Sequence, residues 1–300
     1  MNVMYPELSS AHLSAPTAKN PQLVITEPLR TEIKTQAHPL LSCQSLDECV
    51  QLDANFYSSE NAMINPTMTV REVALDMPES TRLFEQLKID YCCGGNRPLT
   101  EACASAGLEI NQVMDLLANV KQANTETNAI DFQKLSVSEL ITHILETHHV
   151  FTKSEMDRLG PLTNKVINAH GANHPELIRV GELVQLLSND LKPHMFKEEQ
   201  VLFPYIVGMD HARLQGRPIP FPPFGTVKNP IRMMMMEHDT AGDLLRDLRI
   251  VTKDYTVPSD ACMSYQALYR ALEDFEKDLH QHIHLENNLL FPKATEIEEG

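Results

Sequence analysis

The stretch HMFKEEQVLFP, His194 to Pro204, returns 88 residues later as HIHLENNLLFP, His282 to Pro292. Both copies read His, then Glu four places on, then Leu-Phe-Pro at the eighth to tenth places after the His. Each copy also has another His about one helical hairpin upstream: His149 lies 45 residues before His194, and His238 lies 44 before His282. A chain whose second half echoes its first in this way is expected to fold as two like hairpins packed together.

Hydrophobic periodicity after Leu135 is helical, with almost no strand signal. It predicts four long helices: Ser136 to about Ala169, Pro175 to about Met209, Pro230 to about Tyr255 and Asp260 to about Glu296. Gly171 can close the first, Asn229 and Pro230 suit the N-cap and first turn of the third, and Ser259 can cap the fourth. Two helices, a Pro-rich crossover from Arg217 to Pro230 and two more helices make an all-α, up-and-down four-helix bundle over residues 135–300.

The chain ahead of the bundle divides into three parts. Residues 1–64 carry scattered Pro, Ser and Thr and read as a disordered extension, with at most a short helix near Leu46 to Leu52. Residues 65–120 form a small helical domain: Thr69 caps a helix bearing Val70, Val73 and Leu75, and Leu83, Phe84 and Leu87 continue the pattern. The turn YCCGGN, Tyr91 to Asn96, and two further short helical stretches complete it. Residues 121–134 are polar and read as a linker.

The repeat has a chemical consequence. Residues four apart share one helical face, so each His-x-x-x-Glu pair points imidazole and carboxylate the same way. That face is apolar: Leu187, Leu191, Val201 and Tyr205 share it with His194 and Glu198, and Leu272, Leu279, Ile283 and Leu290 share it with His282 and Glu286. An unpaired carboxylate among leucines costs several kcal/mol, and two at one level repel each other. A lone core histidine is usually a packing residue, but two matched pairs plus a further His from each remaining helix argue for cations between the carboxylates.

Four imidazoles and two carboxylates are too many for one tetrahedral zinc. If both glutamates bridge, each of two metals receives two imidazoles and two carboxylate oxygens, and an oxo or hydroxo bridge supplies a fifth donor. Mixed donors of this kind suit iron, with manganese or zinc allowed on affinity. Spacing alone leaves His148 and His149 as alternatives for the first helix. His280 and His284 sit about 200° around the helix from His282 and should face away, into solvent. The run Met233 to Met236 reads as flexible core filling. His170 is either loop-solvated or a support for the site.

Charge narrows the partners. The chain has 41 acidic and 25 basic residues, for a net charge of −16. With no basic patch it repels phosphate backbones and anionic membranes, so neither nucleic acid nor membrane is an expected partner. The first thirty residues lack a signal-peptide pattern, and no apolar run approaches the ~20 residues that span a bilayer. The six cysteines show no disulfide framework, and the adjacent Cys92 and Cys93 would bridge only through a strained ring. A cytoplasmic protein with free thiols is expected. Cys92 and Cys93, in a Gly-containing turn, are either small apolar turn residues or exposed thiols able to bind metal or nitric oxide. Cys103 and Cys262 read as core.

Together DYCCGG, NAHGANHPEL, HMFKEEQVLFP, EHDTAG and HIHLENNLLFP resemble the di-iron Repair of Iron Centres family of bacteria, over residues 66 to 295. The resemblance implies a hemerythrin-like bundle with two oxo- or hydroxo-bridged non-haem iron ions behind a cysteine-bearing domain. The ligands it implies are His149, His194, Glu198, His238, His282 and Glu286, with both glutamates bridging. His148 stands where the family usually has Tyr, and His170 matches a family histidine near the metal centre. Cys92 and Cys93 match the family's cysteine pair. The function implied is repair of iron–sulfur clusters damaged by nitric oxide or oxidants, in the cytoplasm, commonly as a homodimer. Damaged iron–sulfur proteins are the implied clients, and nitric oxide or O2 the small ligands. Competing readings are a hemerythrin-type O2 or nitric oxide carrier or sensor, and an oxidoreductase that turns nitric oxide over.

Overall fold

The structure, a computed structural model, describes residues 64–123 and 130–300. The expected extension, apart from Ile64, and the middle of the expected linker lie outside the described residues. The described part is all-α. Four short helices come first: α1 (Val70–Asp76), α2 (Ser80–Leu87), α3 (Leu99–Ser105) and α4 (Ile110–Ala123). Thr69 caps α1 as expected, its hydroxyl accepting from the Glu72 N–H while Glu72 Oε2 accepts from the Thr69 N–H. Val70, Val73, Leu83, Phe84, Leu99, Cys103, Val113 and Leu117 close a small core of their own.

Four long rods follow. Rod one is α5 (Val137–His143), a π turn (Ile144–His149) and α6 (Val150–His170). Rod two is α7 (Glu176–Lys197), a π turn (Glu198–Leu202) and α8 (Phe203–Leu214). Rod three is α9 (Lys228–Thr252), and rod four is α10 (Met263–Leu285), a π turn (Glu286–Leu290) and α11 (Phe291–Glu299). Rod one packs on rods two and four, and rod three packs on rods two and four, which closes the bundle. Ser136 and Glu139 form the capping box that starts rod one.

Two expected caps are elsewhere. Rod three starts at Lys228, before Asn229; Glu298, distant in sequence, accepts from the Val227 N–H at 2.7 Å, and Asn229 instead donates to Phe224 O. Rod four starts after Cys262, so Ser259 caps nothing and Cys262 is exposed rather than core.

The π turns explain a second difference. Val201 is exposed and Tyr205 only half-buried, while Leu202, Phe203, Ile206 and Met209 fill the core. An i→i+5 turn inserts one residue, so the buried stripe steps forward by one after Glu198. The Pro of each Leu-Phe-Pro lies just beyond its π turn. Proline lacks an N–H and crowds the carbonyl four residues back, and a widened turn relieves both. Of the methionine run only Met234 is buried; Met233, Met235 and Met236 are exposed.

The bundle interior has two apolar clusters. One holds Val137 to Ile144, Leu202 to Met209, Ile231, Met234 and Leu289 to Ile297; the other holds Met156 to Leu191, Ala241 to Leu248 and Tyr265 to Ile283. On every rod the expected metal-facing residues fall between the two. A polar layer therefore crosses the bundle, sealed above and below by hydrocarbon.

The small domain lies against rod four. Residues 61–300 form one compact unit, and this contact corrects the expectation for His280 and His284. Both face away from the polar layer, but His284 is buried and His280 half-buried. His280 donates to Glu85 Oε1 on α2 at 2.8 Å, and His284 is 5 % exposed, edge-on to Tyr91 at 5.3 Å. Asn288 donates to Tyr91 O and to His284 Nδ1, and Arg71 donates to Asn288 O. Burial drives His284 down to about 4, so it is neutral. Rod four is thus covered on two faces, which is why residues 282–291 are buried all round.

Candidate metal centre

Six side chains meet in the polar layer. One group comprises His149, Glu198, His282 and Glu286 and the other His194, Glu198, His238 and Glu286; within each, one donor atom per residue lies within 4.8 Å of the rest. The two groups share both carboxylates. Separations inside the second are close: His194 Nε2 to Glu198 Oε1 is 3.2 Å, His238 Nε2 to Glu286 Oε2 is 3.1 Å, and the two Nε2 atoms are 3.0 Å apart. In the first group His282 Nε2 to Glu286 Oε1 is 3.0 Å, and His149 Nε2 is 3.5 Å from Glu198 Oε2. Adjacent donors around an octahedral ion with bonds of about 2.1 Å lie about 3 Å apart. Each glutamate opens a π turn, so its carboxylate projects from the most widened part of its rod.

The layer is short of partners among its own atoms. Both oxygens of Glu198, Glu286 Oε2 and His149 Nε2 are buried without a hydrogen-bond partner. Four unpartnered ligand atoms converging in a buried layer are costly unless a cation collects them. The charges point the same way. Burial opposes ionisation of Glu286, yet His282, His149 and His238 hold it well below the usual carboxylate range. Burial would push His149 and His194 down, but Glu198 and Glu286 raise them to about 10 and about 9. Protons thus occupy the positive role that the carboxylates require. Burial keeps His282 below its ordinary value.

Outside the layer, acceptors orient the rings. His149 Nδ1 donates to Glu199 Oε1 at 2.7 Å, His194 Nδ1 to Glu237 Oε2 at 2.8 Å, and His238 Nδ1 to Asn287 Oδ1 at 2.9 Å. Each bond turns Nε2 inward with its lone pair available to a metal, the usual support for a ligating imidazole. Lys153 and Lys197 in turn hold Glu199 and Glu237. These three acceptors escaped the sequence reading, although each adjoins a motif residue: Glu199 follows Glu198, Glu237 precedes His238 and Asn287 follows Glu286.

The structure separates the remaining candidates. His149 joins the layer, while its neighbour His148 turns to Asp278. His170 does not approach it: α6 runs 21 residues from Val150 to His170, which places His170 about 30 Å along the rod. There it packs edge-on to Tyr265 and helps lower the Cys262 thiol. Cys92 is buried and Cys93 half-buried. Cys93 Sγ is 3.6 Å from the carbonyl of His238, so the cysteine turn touches the metal-facing part of rod three. Two glycines make that approach: a Cβ at Gly95 would meet Tyr91 O at 2.6 Å, and one at Gly242 would press on Cys93 Sγ at 3.4 Å.

Comparison with known proteins agrees with this architecture. Residues 140–294 match the hemerythrin HHE cation binding domain, and residues 66–121 match a domain of unknown function, DUF542. The chain is 35 % identical over 224 residues to the iron-sulfur cluster repair protein YtfE of Dickeya chrysanthemi, covering 74 % of this chain and 94 % of the relative. It is 30 % identical over 233 residues to the iron-sulfur cluster repair protein ScdA of Staphylococcus haemolyticus, covering 78 % of this chain and all of the relative. The metal-binding layer and its cover of short helices thus belong to a known design: the chain is a member of the family of these iron–sulfur cluster repair proteins, with a hemerythrin HHE cation binding domain as its larger part.

Proposed function

We propose that the protein repairs iron–sulfur clusters damaged by nitrosative and oxidative stress, using a di-iron centre held by His149, His194, Glu198, His238, His282 and Glu286. The observation that carries this reading is the pair of four-donor groups sharing two carboxylates; the relatives named as repair proteins support it. Two non-haem iron ions held there would supply labile iron and a place for nitric oxide or O2 to bind. Glu198 and Glu286 would serve both ions, His149 with His282 and His194 with His238 would complete the two ligand sets, and Glu199, Glu237 and Asn287 fix three of the rings. The two apolar clusters keep bulk water from the layer.

The thiol pair is the second functional part. Cys93 beside it and burial hold the Cys92 thiol well above its ordinary value, so it stays protonated. Thiol chemistry therefore falls to Cys93, the more exposed of the two and the one that touches His238 O. The contact supports a role for the turn in passing iron or nitric oxide between the layer and a client protein. The free thiols agree with a cytoplasmic setting, and no helix among the described residues is long and apolar enough to cross a membrane. The assembly proposed is a homodimer, checked by light scattering of the purified chain.

Iron-loaded protein incubated with an apo iron–sulfur protein under reducing conditions tests the donor role: clusters should form on the client as iron leaves the donor. No transfer would remove iron donation from the reading. A hemerythrin-type carrier is disfavoured because its fifth terminal histidine would have to be His170, about 30 Å from the layer.

A further inference from the structure

Of the four imidazoles in the layer, three have Nδ1 tied to an acceptor, as described above. The fourth, His282, has a buried Nδ1 with no partner. Parallel to its ring, 5.6 Å away between centres and 7° between planes, lies the ring of His148. His148 is 2 % exposed, and its Nε2 is also buried with no partner. Its other nitrogen is fixed: Nδ1 lies 2.9 Å from Asp278 Oδ1.

The proton positions follow from the donor inventory. A carboxylate only accepts, so Asp278 puts the ring proton of His148 on Nδ1 and leaves a lone pair on Nε2. A ligating imidazole that gives Nε2 to a metal carries its proton on Nδ1 and seeks an acceptor for it. His282 in that role has a buried donor lacking an acceptor, and the parallel ring of His148 has a buried acceptor lacking a donor. The rings are stacked, and imidazole nitrogens donate and accept in the ring plane, so one bridging water or a rotation of one ring joins the two nitrogens.

We infer that Asp278 and His148 form the fourth outer support of the metal layer. His148 Nε2 accepts from His282 Nδ1–H through one water or after one ring turns, and Asp278 holds His148 in the tautomer that permits this. The inference rests on the reading of His282 as a ligand. It gives His148 a role as a positioning residue and not as a ligand: His149, not His148, belongs to the donor groups. The two layer groups then have unequal support. His194 and His238 are held by residues bonded directly to their rings, whereas His282 depends on a relay reaching back to Asp278 on its own rod.

The test compares full-length wild type, His148→Ala, His148→Gln and Asp278→Asn for iron per chain, resistance to a competing chelator and Mössbauer spectrum, with helicity followed by circular dichroism. Wild type should hold two irons per chain. His148→Ala should lose about 10- to 100-fold in affinity at one of the two iron positions only, leaving a spectrum with one iron environment. His148→Gln keeps an acceptor and should recover most of that loss. Asp278→Asn changes little volume but no longer dictates the tautomer, and should show a smaller loss at the same position; it remains informative if His148→Ala fails to fold. Wild-type affinity in both His148→Ala and Asp278→Asn, or equal weakening of both positions, would overturn the inference. A wild type that holds no iron would overturn the ligand reading itself, and this inference with it.

Discussion

Glu286 draws on three imidazoles, from His149, His238 and His282, whereas Glu198 draws on two, from His149 and His194. If it bridges, Glu286→Ala should lose iron at both positions, by more than about tenfold in affinity. Circular dichroism should be nearly unchanged, because the apolar clusters on either side remain. Elemental analysis checks this, and full iron occupancy in the variant would sink the ligand assignment. A second residue-level expectation concerns Cys262, which starts α10. The backbone N–H of Tyr265, and then His170, pull its thiol down to about 7. Its alkylation by iodoacetamide should therefore be half-maximal near pH 7, and His170→Ala should move that midpoint up. Cys103, buried and raised by burial, should react only on unfolding.

At the scale of the element, the π turn couples the site to the core. Glu198 opens the turn, and the residues after it depend on the inserted position to face inward. Inserting an alanine after Val201, which is exposed, would add a second extra residue that the turn does not absorb and rotate Leu202, Phe203, Ile206 and Met209 by about 100°. The expected result is a loss on the order of several kcal/mol, read as a lower midpoint in chemical denaturation. A variant that melts with wild type would show that the turn does not set the register of these residues. The signal for this turn is present in the string as Leu-Phe-Pro, but period counting at 3.6 residues passes over it. Hence the second half of the stripe on rod two, Val201 and Tyr205, was read one residue early.

For the whole molecule the metal-free layer sets a pH dependence. His149 and His194 are raised to about 10 and about 9 from an ordinary value of 6.5. Their contribution to stability is complete below about pH 6.5 and is lost as pH rises through 9 and 10. Glu198 and Glu286 shift the other way from 4.5, so their contribution is present above that value and is lost as pH falls through their lowered range. The melting temperature of metal-free protein should fall from pH 7 to pH 10. Iron-loaded protein should lack that fall, since a ligating imidazole binds metal instead of a proton, and loading at pH 7 should release protons. Calorimetry across this range in the two forms is the check; parallel curves would contradict it.

The all-α class, the two matched hairpins and five of the six layer residues were legible in the amino-acid string. They rest on local rules: i and i+4 share a face, a repeat implies a repeat, and a buried carboxylate needs a counter-charge. What lay beyond those rules was decided by contacts between distant segments. Spacing could not choose between His148 and His149, because both are buried and Asp278, 130 residues away, claims one of them. His280 and His284 were assigned to solvent because nothing local shows that α2 and the cysteine turn cover that face of rod four. His170 was placed near the metal by resemblance, yet the length of α6 carries it to the other end of the bundle. Local periodicity assigns a residue to a face; only packing determines what lies opposite that face, and therefore what the residue can bind.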